Sequence, residues 1–264
     1  MSSLDLSNIY AKLDRAYFHL DALNQAIDAW CKTYPAGLKS KSNPDGRIHS
    51  ATFEVYREPD HLRFGVIIGD SAQNLRSALD HLVHAVARKQ LSAANYKKVE
   101  WNLSCPLATS ETAWDKAIAS GWLGGISDDV VTEIRIRQPY QTHDTPKEAP
   151  LALLGWINNR DKHRLIHTAV AATVMGETKI DIKPGFPVDK VWRADIKPGP
   201  FEDGAEVFRL DLPEPRRERD VDVEVHFLQQ ILVKEAATRD DIRETLMRAG
   251  QFAQRIIVEV ARVA

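Results

Sequence analysis

Cysteine is scarce in this chain of 264 residues, which contains only Cys31 and Cys105. Two thiols cannot form a four-thiolate zinc site and do not indicate a disulfide framework, so we interpret both as buried and unreactive. The sequence has no run of about 20 apolar residues, the length that a membrane-spanning helix needs. Its first residues lack the basic start and apolar stretch of a signal peptide. These absences predict a cytoplasmic protein without a membrane partner.

An excess of charge of either sign is also missing. The 35 Lys and Arg residues nearly balance the 37 Asp and Glu residues, and the formal net charge is −2. No overall field therefore draws the chain to nucleic acid, and the sequence carries no signal for DNA. Binding to RNA would need a local basic patch.

Apolar residues recur every three or four positions in several long segments, which predicts a bundle of about five helices. The expected helices lie near residues 4–33, 66–90, 110–136, 148–167 and 238–262. Short β-prone runs separated by turn signals fill residues 168–233 and predict an antiparallel sheet of about five strands. A further strand is expected at 48–57, a polar loop at 36–47 and an irregular segment at 92–107.

These elements predict an α+β fold in a single domain. The predicted helical core comprises residues 1–35, 62–167 and 236–264, and the β-rich part comprises residues 168–235 and the strand at 48–57. The length of the chain suits one large domain.

Residues 66–88 form a helical pattern with two contrasting faces. Apolar side chains cover one face, and a stripe of short polar side chains covers the other. The stripe consists of Asp70, Asn74, Ser77, His81, His84 and Arg88. Arg76 and Asp80 flank the stripe and can pair, because they are four residues apart. Since Asp, Asn, Ser and His are poor helix formers, the stripe is a buried polar seam, an active or binding site, or plain surface.

A second polar segment, WINNRDKHRLIH, spans residues 156–167. Helical spacing places four of its residues on one side of the predicted helix: Trp156, Asn159, His163 and His167. Asp161 and Arg164 point elsewhere and can pair with other helices. The alternative is a polar helix end, whose basic residues complement the helix dipole. The candidate binding residues of the two segments are Asp70, Asn159, Asp161, His163 and Arg164.

Together the two segments, GDSAQNLRSALDHLVH and NNRDKHRLIH, resemble a widespread, uncharacterised bacterial family. That family carries a Gly-Asp-x3-Asn-Leu-Arg-Ser-x-Leu-Asp-His block and a later Asn-x2-Asp-Lys-His-Arg block. The resemblance extends to the first and last helices, so it covers most of the chain. It implies no established activity.

The stretch from Arg76 to His81 also resembles the Arg-x4–6-His motif of the HEPN superfamily of helical ribonucleases and nucleic-acid-associated domains. The resemblance implies a metal-independent ribonuclease or RNA-associated protein, in a defence or toxin system, without a cofactor. It implies that Arg76 holds phosphate and that His81 transfers protons. Asn74 or Asp80 would orient the imidazole. The implied partners are RNA and a second copy of the chain, since a dimer often brings two such motifs together.

Two other hypotheses stay open. The first is a metal-dependent enzyme, because His81, His84, Asp161 and His163 are ligand types on two helices that could face each other. The second is a non-enzymatic, partner-binding or structural protein whose polar residues hold helices together. Both enzyme hypotheses require the two histidine-bearing helices to meet, with their polar residues in one accessible space.

Overall fold

The computed structural model of the chain describes residues 4–182, 193–197 and 199–264. Within these residues the protein is α+β, as predicted, with eight α-helices and two antiparallel sheets. The helices are α1 (Ser7–Cys31), α2 (His61–Gln90), α3 (Ala93–Val99), α4 (Glu111–Ala119), α5 (Asp128–Arg135), α6 (Pro139–Thr142), α7 (Pro150–Asp161) and α8 (Ile242–Val263). The strands are β1 (Ala36–Ser42), β2 (Ile48–Val55), β3 (Thr168–Ile182), β4 (Arg193–Ile196), β5 (Glu206–Asp211) and β6 (Val221–Val233). None of the described helices combines the length and hydropathy that a membrane crossing requires.

The long helices form where apolar residues repeat with helical spacing. Leu13 of α1 and Leu75 of α2 are nearly inaccessible to solvent, and so are Ile9 and Leu79, each four positions away from one of them. Burial of each such side chain contributes about 1.5–3 kcal/mol to the free energy of folding. The helices predicted near 4–33, 66–90 and 238–262 are confirmed as α1, α2 and α8.

Three local predictions are wrong. Residues 36–42 form β1 rather than a loop, because their backbone pairs with β2 from Ala36 to Ser42 although their side chains are largely polar. The segment predicted as irregular contains α3, whose first turn is capped by the Ser92 hydroxyl. The helix predicted to reach residue 167 ends at Asp161. It ends there because the chain turns back, with two consecutive backbone N–H groups bonded to the Arg160 carbonyl.

The strands form two sheets instead of one. The first sheet has the order β1-β2-β5-β4, and the second pairs β3 with β6. β1 and β2 form a hairpin whose turn is closed by Asn43, since its side-chain oxygen accepts hydrogen bonds from the backbone N–H groups of Arg47 and Ile48. Four strands, β3 to β6, fall within residues 168–233 as expected. The predicted turn at 184–185 and the start of the predicted run at 190–196 lie outside the described residues.

The chain divides into two compact units. The helical unit comprises Met1–Gln25, Leu62–His167 and Val233–Ala264, and the β unit comprises Ala26–His61 and Thr168–Leu232. The β unit has its own small core around Ala51, Phe208 and Leu210. The single domain predicted for residues 1–264 stays a prediction. The residues of both polar segments from Leu62 to His167 belong to the helical unit.

Two helical glycines of this unit predict opposite effects of the same substitution. A Cβ atom at Gly65 would lie 2.5 Å from the backbone carbonyl oxygen of Ile166, whereas a Cβ atom at Gly155 would make an ordinary contact, 3.4 Å from Leu107. We therefore expect Gly65→Ala to lower the free energy of unfolding by about 1–3 kcal/mol. Gly155→Ala should raise it by about 0.5–1 kcal/mol, because alanine is the better helix former.

Urea denaturation of both variants beside the wild-type chain measures these changes. A Gly65→Ala variant as stable as the wild-type chain would contradict the close packing of α2 on the segment after α7.

Candidate functional site

The polar stripe of α2 and the flanking residues Arg76 and Asp80 do not face a single space. Asp70 and Asn74 lie beside α1, where the Asn74 side-chain oxygen accepts a 3.4 Å hydrogen bond from Lys12. Arg76 and Asp80 line one cleft, and His81 lines another together with His84. The helical repeat of about 100° per residue accounts for the separation, because residues five positions apart point about 140° from each other.

Asp80 is the centre of a hydrogen-bond network that joins α2 to the segment before α4. The Arg76 guanidinium donates two hydrogen bonds to its carboxylate, of 3.1 and 2.9 Å. The Ser104 hydroxyl and the backbone N–H of Cys105 donate two more, of 3.0 and 2.9 Å. Arg76 also donates to the Ser104 hydroxyl. The pairing predicted between Arg76 and Asp80 is confirmed.

A cleft of about 530 Å³ opens beside this network. We call it the Trp cleft and define it by six of its lining residues: Arg76, Lys116, Trp122, Trp156, Asn158 and Lys162. α4 provides the lysine at 116, the loop after α4 provides one indole, and α7 provides the other indole. Small residues, among them Ala117, Ala152 and Gly155, also line the cleft. A cleft with small and aromatic walls and a few polar groups has the usual composition of a ligand site.

Asn158 is the most unusual residue of the Trp cleft. Its exposed fraction is only 3%, and its side-chain oxygen has no hydrogen-bond partner among the described residues. An unpaired buried polar atom costs about 1–3 kcal/mol. Such an atom in a native structure calls for an explanation, and a ligand that supplies the missing donor is one.

Sequence reasoning found only part of this site. Arg76, Asp80 and Asn159 were candidates, and all three line the Trp cleft. Asn158 and Lys116 were missed. Asn158 had a visible signal, since it is the first residue of the Asn-x2-Asp-Lys-His-Arg block and follows the buried Leu154 by four residues on the apolar side of α7. Lys116 had none, because an exposed lysine on a short helix is common.

The second cleft has a volume of about 650 Å³. We call it the His cleft and define it by Asp5, Asn8, His81, His84, Arg88 and Lys89. His84 forms a 2.9 Å hydrogen bond with the Tyr96 hydroxyl. Burial lowers the pKa of His84, and the nearby Arg88 charge lowers it further. His81 is exposed. It lines the His cleft whereas Arg76 lines the Trp cleft, so the arginine and the histidine of the Arg-x4-His stretch lie in different clefts of one chain.

The two polar segments meet at Gly69. The Asp161 carboxylate lies so close to Gly69 that a Cβ atom there would overlap it. Burial raises the pKa of Asp161, and the negative charge of Asp70 raises it further. The imidazole of His19 lies 4.0 Å from Asp70, yet burial keeps the pKa of His19 below its ordinary value.

His163 and Arg164 lie beyond the end of α7, and both are exposed. The prediction that His163 and His167 continue one side of the helix with Asn159 is wrong, because the helix ends at Asp161. The candidate metal ligands do not converge. His81 and His84 line the His cleft, Asp161 contacts Gly69, and His163 lies in the turn after α7. Among the residues that the structure describes, no group of three or more His, Cys, Asp or Glu side chains could hold a metal ion.

Neither cysteine forms a disulfide within the described residues, and Cys31 is half-buried rather than buried as expected. Cys105 is fully buried, and burial raises the pKa of its thiol to about 12. A thiol that stays protonated is a poor nucleophile, which agrees with the unreactive role expected for this residue.

No protein-family model, curated protein or solved structure matches the chain. The two family resemblances therefore stay predictions.

Asp80 and the adjacent His81 differ in their expected contribution to stability. Asp80→Ala removes the acceptor of four hydrogen bonds, including one from a backbone N–H group, and should lower the free energy of unfolding by about 1–3 kcal/mol. His81→Ala should change it by less than about 0.5 kcal/mol, because the side chain is exposed. Urea denaturation tests both. Equal losses in the two variants would contradict the network as described.

The charge of Asp70 near Gly69 predicts a measurable effect on the pKa of Asp161. Replacing Asp70 by Asn removes the like charge, so the pKa of Asp161 should fall but stay above its ordinary value, since burial is the larger cause. A carboxyl whose pKa is raised by folding stabilises the protein at low pH, and this stabilisation is lost as the pH rises through the folded pKa. NMR titration of the Asp161 carboxyl carbon measures the change. An unchanged pKa would show that the two groups do not interact.

Proposed function

We propose that the protein is RNA-associated and binds one unpaired nucleotide of RNA in the Trp cleft. The observation that carries the proposal is the composition of this one cleft. Two indoles, three cationic side chains and a buried amide with an unpaired oxygen line the same space. A smaller cleft lined by Arg137, Phe252 and Arg255 also joins an aromatic ring to cations, but it has neither an indole nor a buried amide in its lining.

Each part of the cleft suits one part of a nucleotide. Indole faces stack on nucleobases, and this stacking contributes about 1–3 kcal/mol per base. Lysine and arginine side chains neutralise phosphate. The cleft volume of about 530 Å³ is within the usual range of about 300–1,000 Å³ for small-ligand sites. One nucleotide is therefore a suitable occupant.

The three cationic side chains of the Trp cleft differ in whether an acidic side chain already balances their charge. Arg76 is held by Asp80 at 2.9 Å, so its charge is largely balanced. Lys116 and Lys162 are exposed, and neither forms an ion pair with another residue in the described part of the chain. These two lysines supply the local basic patch that a chain with a net charge of −2 needs for contact with phosphate.

Binding is favoured over cleavage for a single chain. In the HEPN-like mechanism an arginine and a histidine act on one phosphate, but here Arg76 and His81 line different clefts. Ribonuclease activity through these residues would need a second copy of the chain to bring its His81 to the Trp cleft. Activity that appears only in a homodimer, and that is lost in both Arg76→Ala and His81→Ala, would support this alternative.

The proposal predicts which charges matter for RNA binding. Reversing both free lysines, Lys116→Glu with Lys162→Glu, should weaken binding of a fluorescent single-stranded RNA at least tenfold and reduce its salt dependence, because two phosphate contacts are lost. The matched control reverses two cations of the His cleft, Arg88→Glu with Lys89→Glu, and should retain most of the binding. Fluorescence anisotropy at several salt concentrations measures both effects.

Two outcomes would refute the proposal. One is a wild-type chain that shows no binding to single-stranded RNA at low salt. The other is an equal loss of binding in the two double variants, which would indicate a general electrostatic effect instead of a site.

A further inference from the structure

We infer that Asn158 recognises the hydrogen-bonding edge of the nucleobase by pairing with a donor next to an acceptor, and that it discriminates against ring systems without such an edge. This inference rests on the proposed function, and it assigns a specificity-determining role to Asn158, which opens the second polar block but was not among the candidate site residues. It also narrows the ligand class from any phosphate-bearing molecule to one with an amide-like or amidine-like ring edge.

Without a ligand, the side-chain amide of Asn158 is not fully hydrogen-bonded. Asn158 lines the Trp cleft, and only 3% of the residue is exposed. Its oxygen is an acceptor without a donor in the described part of the chain. Burial keeps water from this atom in the unliganded protein, so its missing hydrogen bond is a standing cost to the folded state. A ligand in the cleft reaches the oxygen when the amide turns about its terminal torsion. A ligand that satisfies the amide removes this cost.

The side-chain amide of Asn158 can both accept and donate hydrogen bonds. One side of the group accepts hydrogen bonds, and the other donates two. The terminal torsion of asparagine is broad and roughly two-fold, so a half-turn exchanges the two sides. A base edge with a donor beside an acceptor can therefore satisfy both sides at once, as in the bidentate pairing of asparagine with adenine. A ring that has only an acceptor at this edge leaves the Asn158 oxygen unpaired.

The amide of Asn158 lies in a cleft that also contains two indole side chains. Trp156 and Trp122 line the same cleft as Asn158. An aromatic face holds a base by stacking without selecting its identity. A buried polar group, in contrast, discriminates strongly, because the wrong ligand leaves it unpaired. The indoles supply affinity in this arrangement, and Asn158 supplies selectivity.

The test uses three probes that differ by single parts: adenosine monophosphate, purine riboside monophosphate, which lacks the 6-amino group, and ribose 5-phosphate, which lacks the base. Isothermal titration calorimetry should show that the wild-type chain binds adenosine monophosphate about tenfold more tightly than the amine-free nucleotide. Ribose 5-phosphate should bind the most weakly.

Asn158→Ala should remove this preference, so that the two nucleotides bind with similar affinity. The matched control is Asn95→Ala, which changes an exposed amide of α3 outside the Trp cleft and should keep the preference. Asn158→Leu, which preserves the volume but makes no hydrogen bond, is the second variant and should behave like Asn158→Ala. Thermal melting of each variant verifies that it is folded.

The possible failures are distinguishable. If the wild-type chain binds all three probes equally, base recognition by Asn158 is wrong while an anion site in the cleft stands. If it binds both nucleotides equally and ribose 5-phosphate weakly, stacking without edge recognition explains the site, and the inference is again wrong. If neither the nucleotides nor single-stranded RNA bind, the proposed function fails and this inference fails with it.

Discussion

The carboxylate of Asp80 accepts hydrogen bonds from Arg76, from the Ser104 hydroxyl and from the backbone N–H of Cys105. The backbone contact matters most, because it fixes a loop segment and not only a side chain. The chain after this segment supplies Ala108, and further on α4 and Trp122, to the Trp cleft. One wall of the cleft therefore depends on an ionised side chain of α2. The oxygen with three donors is stable there because charge-assisted hydrogen bonds are stronger than neutral ones.

The periodic helices could be predicted from the sequence, because their pattern and their packing agree. Ile9 and Ile27 of α1 are both buried, and each belongs to the predicted apolar side. β1 could not be predicted in this way. It is stabilised by backbone pairing with β2, and the residues Lys39 and Lys41 hide that pairing from any pattern of side-chain polarity. The end of α7 was misjudged for a related reason, since His163 continues a helical spacing that the backbone does not follow.

The candidate site was predictable only where its residues are close in sequence. The pair of Arg76 and Asp80 follows from a spacing of four residues on one helix. The convergence of Lys116, Trp122 and Asn158 does not, because these residues come from α4, a loop and α7, and their proximity depends on tertiary packing. The same limit applies to Arg76 and His81. Their spacing matched a catalytic motif, but five residues of helix direct them to different clefts.

The contact between the two polar segments has a packing explanation that needs no catalysis. The Asp161 carboxylate occupies the space that a side chain at residue 69 would fill, and the Ile166 carbonyl lies similarly close to Gly65. Two glycines four residues apart on α2 thus receive the end of α7 and the chain that follows it. This contact fixes the rotation of α7. Asn158 is three residues before Asp161, so it lies on an adjoining side of the helix, where it is buried at the edge of the Trp cleft. The residues that dock the two helices therefore also determine which amide the cleft presents to a ligand.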